Sequence, residues 1–329
     1  MSFQNAKIIG PCLDPKEYFG VNDKIERGDP KFIATSSMLR AFLHCASRWK
    51  AGYEPPESDE KTTGSLLDCV LLVPEQFGKR YAIKPRSSDD ETKPLNANTK
   101  EYKAWKADIE ADGLLPVSRE GVEGAKLALK RVMADEILSA WFASCDRQIW
   151  VKAEWVDKST GLVIPVQAML DFVPRPETEF AKCLGDLKCI RSAILRAFTN
   201  QVFQYGWHFQ AAFYRDIYMA AVNPNNDPDG QDRNTWCFCG VENYPPFEPF
   251  RRLLSEDYIA IGRQTYTHAL AQYAKALKSG VWHGYDDGPD AVQGWSIVSP
   301  APYMEFAALS DKLEADQAEA MEENADIPS

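Results

Sequence analysis

The stretch 180-FAKCLGDLKCIRSA-193 decides the fold, because a short apolar run in it ends in the triplet Asp186-Leu187-Lys188. Side chains alternate along a strand, so Asp186 and Lys188 share one face while Leu187 points to the other. Two strand-like segments rich in Val, Ile, Trp and Phe precede it, and a helical segment and another strand-like segment follow. These flanking segments are residues 147–156, 161–174, 192–222 and 235–243. Their order predicts one composite α/β domain with a central mixed sheet flanked by helices.

Composition indicates a globular chain without membrane segments. The 329 residues are 45% hydrophobic and 26% charged, which suffices for one large core or two modest ones. No apolar run approaches ~20 residues, so no membrane span is expected. Residues 1–20 lack a basic start and an apolar core, so no secretion signal is expected. The eight cysteines are scattered, which predicts a cytoplasmic protein with reduced thiols.

The formal net charge of −11 limits how the chain could bind nucleic acid. A general nucleic-acid coat needs Lys and Arg at the phosphates, which argues against that class of protein. A locally basic channel stays compatible with the charge, because part of the acidity lies in the C-terminal segment 291–329, predicted to end in a disordered tail. Cys237 and Cys239 are poorly spaced for a zinc or iron–sulfur site and fit alternate positions of a strand.

Helices are predicted on both sides of the strand-rich centre. One helix is expected over residues 34–53, with Ser36 or Ser37 as its cap. Further helices are expected over residues 63–73, 100–112, 119–144 and 255–280, the last capped by Ser255 and ended by Gly280. The polar segment 82–100 is predicted to be a loop. An N-terminal helical extension over residues 1–32 precedes the main domain, which is expected to span residues 33–290.

Several ionisable side chains interrupt apolar segments. These residues are Asp68, Glu154, Asp171, Asp186 and Lys188. Each carboxylate alone has an ordinary interpretation, such as a turn residue or a charged edge-strand pair. If they converge, however, buried carboxylates repel one another unless a divalent cation lies between them. Oxygen ligands suit Mg²⁺ or Mn²⁺, and a neighbouring lysine could position a water nucleophile or stabilise charge developing on a phosphate.

The ordered set of residues resembles a known nuclease pattern. Asp171, fourteen intervening residues and then Asp186-Leu187-Lys188 match the PD-(D/E)xK signature. The pair Gln210 and Tyr214, which would share one helix face, resembles the Gln-x-x-x-Tyr motif that follows this signature in RecB-like nucleases. Over residues 33–285, segments such as SSMLRAFLHCASRWKAGY and TTGSLLDCVLLVPEQFGKRYAI resemble the RecE (exodeoxyribonuclease VIII) nuclease domains of phages and prophages.

This resemblance implies a RecB-like core and a Mg²⁺- or Mn²⁺-dependent exonuclease with one or two ions per active site, without ATP or an iron–sulfur cluster. It implies digestion of the 5′ strand from the ends of linear double-stranded DNA in the cytoplasm of a bacterial or phage-infected cell. The 3′ overhangs would pass to a RecT-like single-strand annealing protein, and the nuclease would form a ring-shaped homotetramer.

The resemblance also assigns roles to individual residues. The implied metal ligands are Asp68, Asp171, Asp186 and the backbone carbonyl of Leu187. Lys188 would be the catalytic lysine, with Gln210 and Tyr214 supporting it or contacting DNA, and Glu154 a lesser supporting candidate. Candidate DNA-binding cations are Arg86, Lys93, Lys100, Arg191 and Arg196, together with Lys84, Lys103 and Lys182.

Two positions depart from the family pattern. Asp68 stands where the family usually has His, which retains an oxygen ligand for a hard cation or weakens a second metal site. Met169 stands where the family often has Arg, which removes one basic group near the DNA. The residues leave three other interpretations open: a DNA-end-binding or assembly protein with little nuclease activity, a structure-specific endonuclease, and an α/β protein with surface carboxylates.

Overall fold

A six-stranded mixed sheet forms the centre of the molecule. The structure is a computed structural model that describes residues 3–12, 14–54, 59–87, 92–223 and 235–286. The sheet has the order β1-β4-β5-β6-β7-β8. Its strands are β1 (Phe3–Pro11), β4 (Cys145–Val156), β5 (Val163–Pro174), β6 (Cys183–Ile190), β7 (Thr235–Glu242) and β8 (Pro249–Leu254). The two short strands β2 (Tyr81–Ile83) and β3 (Leu115–Val117) form a separate parallel pair.

Strand direction changes within the sheet at β6. The strands β4, β5 and β6 are antiparallel neighbours, whereas β6 and β7 are parallel. A parallel pair needs a crossover connection, and here two helices lie between the strands in the chain, α9 (Leu195–Gln204) and α10 (Trp207–Val222). The strand that carries Asp186 and Lys188 is therefore central, with a neighbour on each side.

Helices cover both faces of the sheet. The remaining helices are α1 (Pro15–Phe19), α2 (Ser36–His44), α3 (Ala46–Lys50), α4 (Asp59–Leu72), α5 (Phe77–Arg80), α6 (Lys100–Ala111), α7 (Arg119–Ala134), α8 (Glu136–Ser144) and α11 (Glu256–Ser279). One apolar core joins the sheet to α2, α10 and α11, and the other joins it to α4, α7 and α8. The predicted α/β class with a central mixed sheet and flanking helices is confirmed.

Two glycines allow backbones to approach closely beside β6 and α10. A Cβ at Gly240 on β7 would overlap with the carbonyl oxygen of Lys188, and a Cβ at Gly262 on α11 would overlap with that of His208. Since real side chains cannot occupy that space, glycine at these positions lets β7 lie against the Lys188 backbone and lets α11 lie against α10.

The main predicted elements are confirmed, with shifted bounds. The three central strands and the strand at Thr235 are present, and the helical segment 192–222 forms the two helices α9 and α10. They are separated by Gly206, which has a φ of 63°. Ser255 caps α11 by accepting a hydrogen bond from Tyr258 N, and Gly280 follows its end with a φ of 72°. The end of the C-terminal segment 291–329, predicted to be a disordered tail, lies outside the described residues.

Other predictions are wrong in detail. The helix expected over residues 34–53 divides at Cys45, and its cap is Thr35, whose side chain accepts from Met38 N. The helix expected over residues 119–144 divides at Asp135. The 82–100 segment, predicted as a loop, begins within β2 and ends at the start of α6.

The N-terminus also differs from the prediction, because Phe3–Pro11 is an edge strand that pairs with β4 rather than part of a helical extension. Most of its side chains are exposed on both faces, so no apolar alternation marks it as a strand.

The chain divides into two compact units, Met1–Trp282 and His283–Ser329. The site described below lies in the first. The domain boundaries expected from the sequence stay predictions. Within the described residues, no helix combines the length and the apolar character needed to cross a membrane.

Candidate active site

Asp186, Lys188 and Gln210 form a closed arrangement at the centre of the sheet. Asp186 on β6 is only 2% exposed. Its Oδ2 pairs with Lys188 Nζ, and its Oδ1 accepts a hydrogen bond of 2.7 Å from Gln210 Nε2 on α10. Lys188 Nζ in turn donates to Gln210 Oε1 at 3.2 Å. The Gln210 amide therefore holds the carboxylate and the ammonium in one orientation, as strand alternation and the Gln-x-x-x-Tyr motif predicted.

Asp171 reaches the same place from β5. Phe172 pairs with Gly185 across the two antiparallel strands, which brings Asp171 beside Asp186. Asp171 Oδ2 accepts a hydrogen bond of 2.8 Å from the backbone N of Leu187, so the side chain of one strand ties down the backbone of the next. This contact fixes Leu187 beside the carboxylates. A role for its carbonyl as a ligand stays a prediction.

Gln148 on β4 is a neighbour of Asp171 that the sequence did not reveal. Its Nε2 donates to Asp171 Oδ1 at 2.8 Å, and its side chain is buried. Its φ of 54° is a left-handed value that is strained for a residue with a side chain. A glutamine inside an apolar strand is the one signal in the sequence that pointed to this position.

Asp68 joins the two strand carboxylates from α4. Burial raises the pKa of Asp68 to about 7, an effect that Lys188 opposes and Asp186 reinforces. Burial also raises the pKa of Asp171 well above its usual value, and the charges of Asp186 and Asp68 raise it further. The pKa of Asp186 is raised by burial despite the opposing charge of Lys188. Three carboxylates therefore lie close together, with Asp186 buried and Asp68 and Asp171 half-buried. Lys188, Arg40 and Arg80 are the cations whose charges act on Asp68 and Asp186.

The donor chemistry of this place fits a hard divalent cation. Asp186 Oδ2 is buried and meets Lys188 only as an ion pair, without a hydrogen bond of acceptable geometry. Carboxylate oxygens that repel one another are the ligands that Mg²⁺ and Mn²⁺ favour. Among the described residues, however, no three His, Cys, Asp or Glu side chains are arranged in advance as a metal site.

Lys188 lies in a more enclosed position than its place near a strand end indicates. Its side chain is 15% exposed, and its Nζ lies 5.4 Å from the centroid of the Trp207 ring. Lys188 is therefore an enclosed residue rather than an exposed side chain at a strand end. Removing this ammonium would leave the Asp186 carboxylate buried without its counter-charge.

Tyr214 and Arg40 form a second layer around Asp186. Tyr214 is buried four residues after Gln210, where Ser36 Oγ donates to its hydroxyl at 3.5 Å. Burial raises the pKa of Tyr214 to about 12, so it is a neutral hydroxyl near pH 7. Arg40 on α2 donates from Nη1 to the carbonyl of Tyr205, and burial lowers its pKa while the nearby Tyr214 and Asp186 raise it. The sequence predicted Tyr214, whereas Arg40 depends on how α2 packs.

A cavity of about 440 Å³ opens beside Asp68 and Asp171. Met169 lines it, two residues from Asp171 on the same strand face. Three cations from the short helices α1 and α5 also line it, and the sequence analysis did not identify them. These cations are Lys16, Lys79 and Arg80. These side chains bring positive charge near the carboxylates from α1 and α5. They do so although Met169 stands on β5 in place of the expected arginine.

Glu154 does not belong to this site. It pairs with Pro165, whereas Asp171 lies six residues further along β5, which corresponds to about 20 Å of extended strand. Glu154 Oε2 instead accepts a hydrogen bond of 2.7 Å from Asn5 Nδ2 beside the edge strand β1. The supporting role expected for Glu154 is therefore wrong.

The predicted DNA-binding cations are dispersed. None of them lines the cavity beside the carboxylates among the described residues. Arg191 lines a different cavity beyond the end of β6, and Lys182 lines a third. Arg86 forms an isolated bridge with Pro94, the backbone carbonyl of Lys93 accepts from Ser87 N, and Lys100 begins α6. Arg196 is exposed on α9. Their contact with DNA stays a prediction.

Comparisons with known proteins give limited information. No protein-family model matches the chain, and no curated protein matches it. Among solved structures, the chain is similar to the crystal structure of a "putative exonuclease" from Eubacterium rectale, with 14% sequence identity and a TM-score of 0.48. The similarity covers 87% of this chain and 97% of the other. At this level of similarity, the function has to be argued from the site itself.

Proposed function

We propose that the protein is a metal-dependent deoxyribonuclease of the RecB-like PD-(D/E)xK type. The observation that carries this proposal is the Gln210 amide, which joins Asp186 and Lys188 directly while Asp171 meets them from the adjacent strand. A carboxylate cluster with one oriented lysine serves phosphodiester hydrolysis, in which charge develops on a phosphate and a water must be positioned. The order of elements around it, helix α4, three antiparallel strands, helix α10 and the parallel strand β7, supports this type of core.

The chain's own residues would divide the work as follows. Asp68, Asp171 and Asp186, with the Leu187 carbonyl, would hold Mg²⁺ or Mn²⁺, which supplies charge stabilisation and lowers the pKa of water. Lys188 would orient the attacking water or stabilise charge on the phosphate, because Gln210 fixes its ammonium. Gln148 and the Leu187 N–H would keep Asp171 in place. Arg40 and Tyr214 would contribute a positive charge and a neutral hydroxyl beside Asp186.

We further propose the RecE-like activity that the sequence resemblance implies. The enzyme would digest the 5′ strand from ends of linear double-stranded DNA without ATP, and the 3′ overhang would pass to a RecT-like annealing protein. It would act as a ring-shaped homotetramer with one or two ions per active site. The ordered motifs Asp171, Asp186-Leu187-Lys188 and Gln210…Tyr214 support these finer proposals.

Strand-resolved digestion tests the proposal directly. Linear duplex DNA labelled at either the 5′ or the 3′ end is incubated with the protein and Mg²⁺, with EDTA and a Lys188→Ala variant as controls. We expect early loss of the 5′ label and stepwise shortening of that strand, both abolished in the controls. The nuclease proposal fails if neither strand shortens with Mg²⁺ or Mn²⁺, or if digestion is identical in EDTA.

The alternatives give different results in the same assay. A structure-specific endonuclease would cut closed circular or flapped DNA, which an end-dependent exonuclease leaves intact when no end is present. A DNA-end-binding protein would retain labelled duplex without shortening it.

A further inference from the structure

A polar cavity with aromatic walls lies beyond the end of β6, apart from the cavity beside the carboxylates. Its volume is about 650 Å³, and it lies between α9 and the turn that joins β7 to β8. Two tyrosines on opposite elements line it, Tyr205 after α9 and Tyr244 in the turn. They are 49% and 45% exposed, so one face of each ring is available to a ligand. This site is called the tyrosine cavity below.

The other side chains of the tyrosine cavity are amides and one cation. Asn200, Gln201 and Gln204 come from α9, and Arg191 comes from the segment after β6. No carboxylate is among the described residues that line the cavity. Glu242, at the end of nearby β7, accepts a hydrogen bond of 2.8 Å from Ala193 N. The cavity therefore offers aromatic faces, hydrogen-bonding amides and positive charge, although the whole chain carries a net charge of −11.

A continuous path of aromatic contacts joins this cavity to Lys188. The Lys188 Nζ lies 5.4 Å from the centroid of the Trp207 ring, and the Trp207 ring lies 5.6 Å from that of Tyr205 at an interplanar angle of 33°. Arg40, whose charge acts on Asp186, also donates to the backbone carbonyl of Tyr205. Because both lie against Trp207, the Lys188 Nζ and the centre of the Tyr205 ring are at most about 11 Å apart.

We propose that the tyrosine cavity binds unpaired bases of a DNA strand whose phosphate lies at Lys188. Aromatic side chains stack on bases of any sequence, while a guanidinium and amides pair with phosphates and base edges. A base inside a duplex stacks on its neighbours and does not expose its faces, so the site selects a frayed or single-stranded end. This inference rests on the proposed nuclease function and adds to it the part of the substrate that is recognised.

Anisotropy of labelled DNA in EDTA tests binding without cleavage. The probes are a blunt duplex, the same duplex with a short unpaired end, and that duplex with abasic residues in the unpaired end. The wild-type protein is expected to bind the unpaired end about tenfold more tightly than either of the other probes. Tyr205→Ala and Tyr244→Ala are each expected to lose about tenfold for the unpaired end and to leave affinity for the abasic probe unchanged.

Two variants separate stacking from general damage. Tyr205→Phe keeps the ring and is expected to retain wild-type affinity for the unpaired end. Phe203→Ala removes an exposed aromatic of α9 that stacks on His208 and does not line the cavity, so it is expected to change nothing. Because Tyr205 and Tyr244 are half exposed, their variants should fold, and circular dichroism checks this.

The outcomes distinguish this inference from the nuclease proposal. If the wild-type protein digests linear duplex but Tyr205→Ala and Tyr244→Ala bind all three probes as it does, the inference is overturned and the nuclease function stands. Equal losses on the abasic probe, or an equal loss in Phe203→Ala, also overturn it. If no probe binds and no DNA is digested, both proposals fail.

Discussion

Two buried carboxylates lie at the helix α10 and have opposite surroundings. Asp216 belongs to the helix, and Asp186 on β6 accepts a hydrogen bond from Gln210 of the helix. Asp216 on α10 is 1% exposed and accepts three short hydrogen bonds, from Arg263 Nε at 2.6 Å, Arg263 Nη2 at 2.7 Å and the Tyr266 hydroxyl at 2.6 Å. Asp186 is as deeply buried, but its Oδ2 lacks a well-formed hydrogen bond. It also lies near two further carboxylates.

The difference separates a structural cluster from a chemical one. At Asp216, one negative charge meets one guanidinium in a bidentate pair, and hydrogen bonding to Asp216 raises the pKa of Arg263. At Asp186, three carboxylates lie close together, and burial raises the pKa of each of them. The nearby charges of Lys188, Arg40 and Arg80 oppose this shift. Ionising such carboxylates costs stability in the cation-free chain, and a divalent cation and a phosphate can use this arrangement.

The largest expected effect is on turnover, from Lys188→Ala. We expect DNA digestion to fall by roughly 10³-fold, because an oriented acid–base or charge-stabilising group contributes about 10²–10⁴-fold. Initial rates of end digestion measure this, and thermal melts confirm that the variant is folded. Asp216→Ala is the matched control at the other cluster and should retain its rate per folded molecule. A Lys188→Ala rate within tenfold of wild type would contradict the assigned role.

The second effect is on stability, from Asp216→Ala. Removal of this carboxylate leaves the Tyr266 hydroxyl buried without its partner and breaks the bidentate pair with Arg263. We expect the free energy of unfolding to fall by about 3 kcal/mol. Urea denaturation of both proteins measures the change. A loss below about 1 kcal/mol would show that the two clusters do not differ in the way described.

An effect on stability of comparable size is a pH dependence in EDTA that arises from Asp68. Its pKa is about 7 in the folded chain and 3.8 in the reference state, so the folded chain binds the proton more tightly. The contribution of Asp68 to the free energy of unfolding is therefore greatest below about pH 4. It decreases by up to about 4 kcal/mol as the pH rises towards 7.

Denaturation midpoints across this pH range test the prediction, with Asp68→Asn as the comparison. The variant should show a smaller decline, because an amide does not ionise, while Asp171 and Asp186 retain their own contributions of the same sign. Parallel curves for the two proteins would show that Asp68 is not held at a raised pKa.

The smallest expected effect comes from Glu154→Gln. This residue contacts Asn5 near the edge of the sheet, about 20 Å of strand from Asp171. We expect unchanged digestion and a stability change within about 0.5 kcal/mol. A large loss of activity would mean that Glu154 contributes to the site in a way that the strand register does not reveal.

The sequence predicted those parts of the site that depend on local periodicity. Alternation along β6 placed Asp186 with Lys188, and a four-residue spacing placed Gln210 with Tyr214. Gln148 was not predicted, because its role depends on a left-handed backbone conformation within a strand. Arg40 was not predicted either, because α2 reaches Asp186 only through tertiary packing. The same reason applies to the cations of α1 and α5.

The edge strand β1 shows a different limit. Periodicity identifies a strand only where one face is buried, and both faces of β1 are largely exposed. Its place in the sheet depends on backbone hydrogen bonds to β4, which composition does not record.

The position of Lys188 depends partly on Gly240, a residue that has no side chain to bind or react. The strand β6 can lie where it does only because the neighbouring strand β7 carries no Cβ beside the Lys188 carbonyl. In a mutational scan, position 240 would therefore behave like an active-site residue, intolerant of every side chain, although it has no group that could bind or react. A substitution at Gly240 would therefore displace Lys188 without changing any residue of the candidate site.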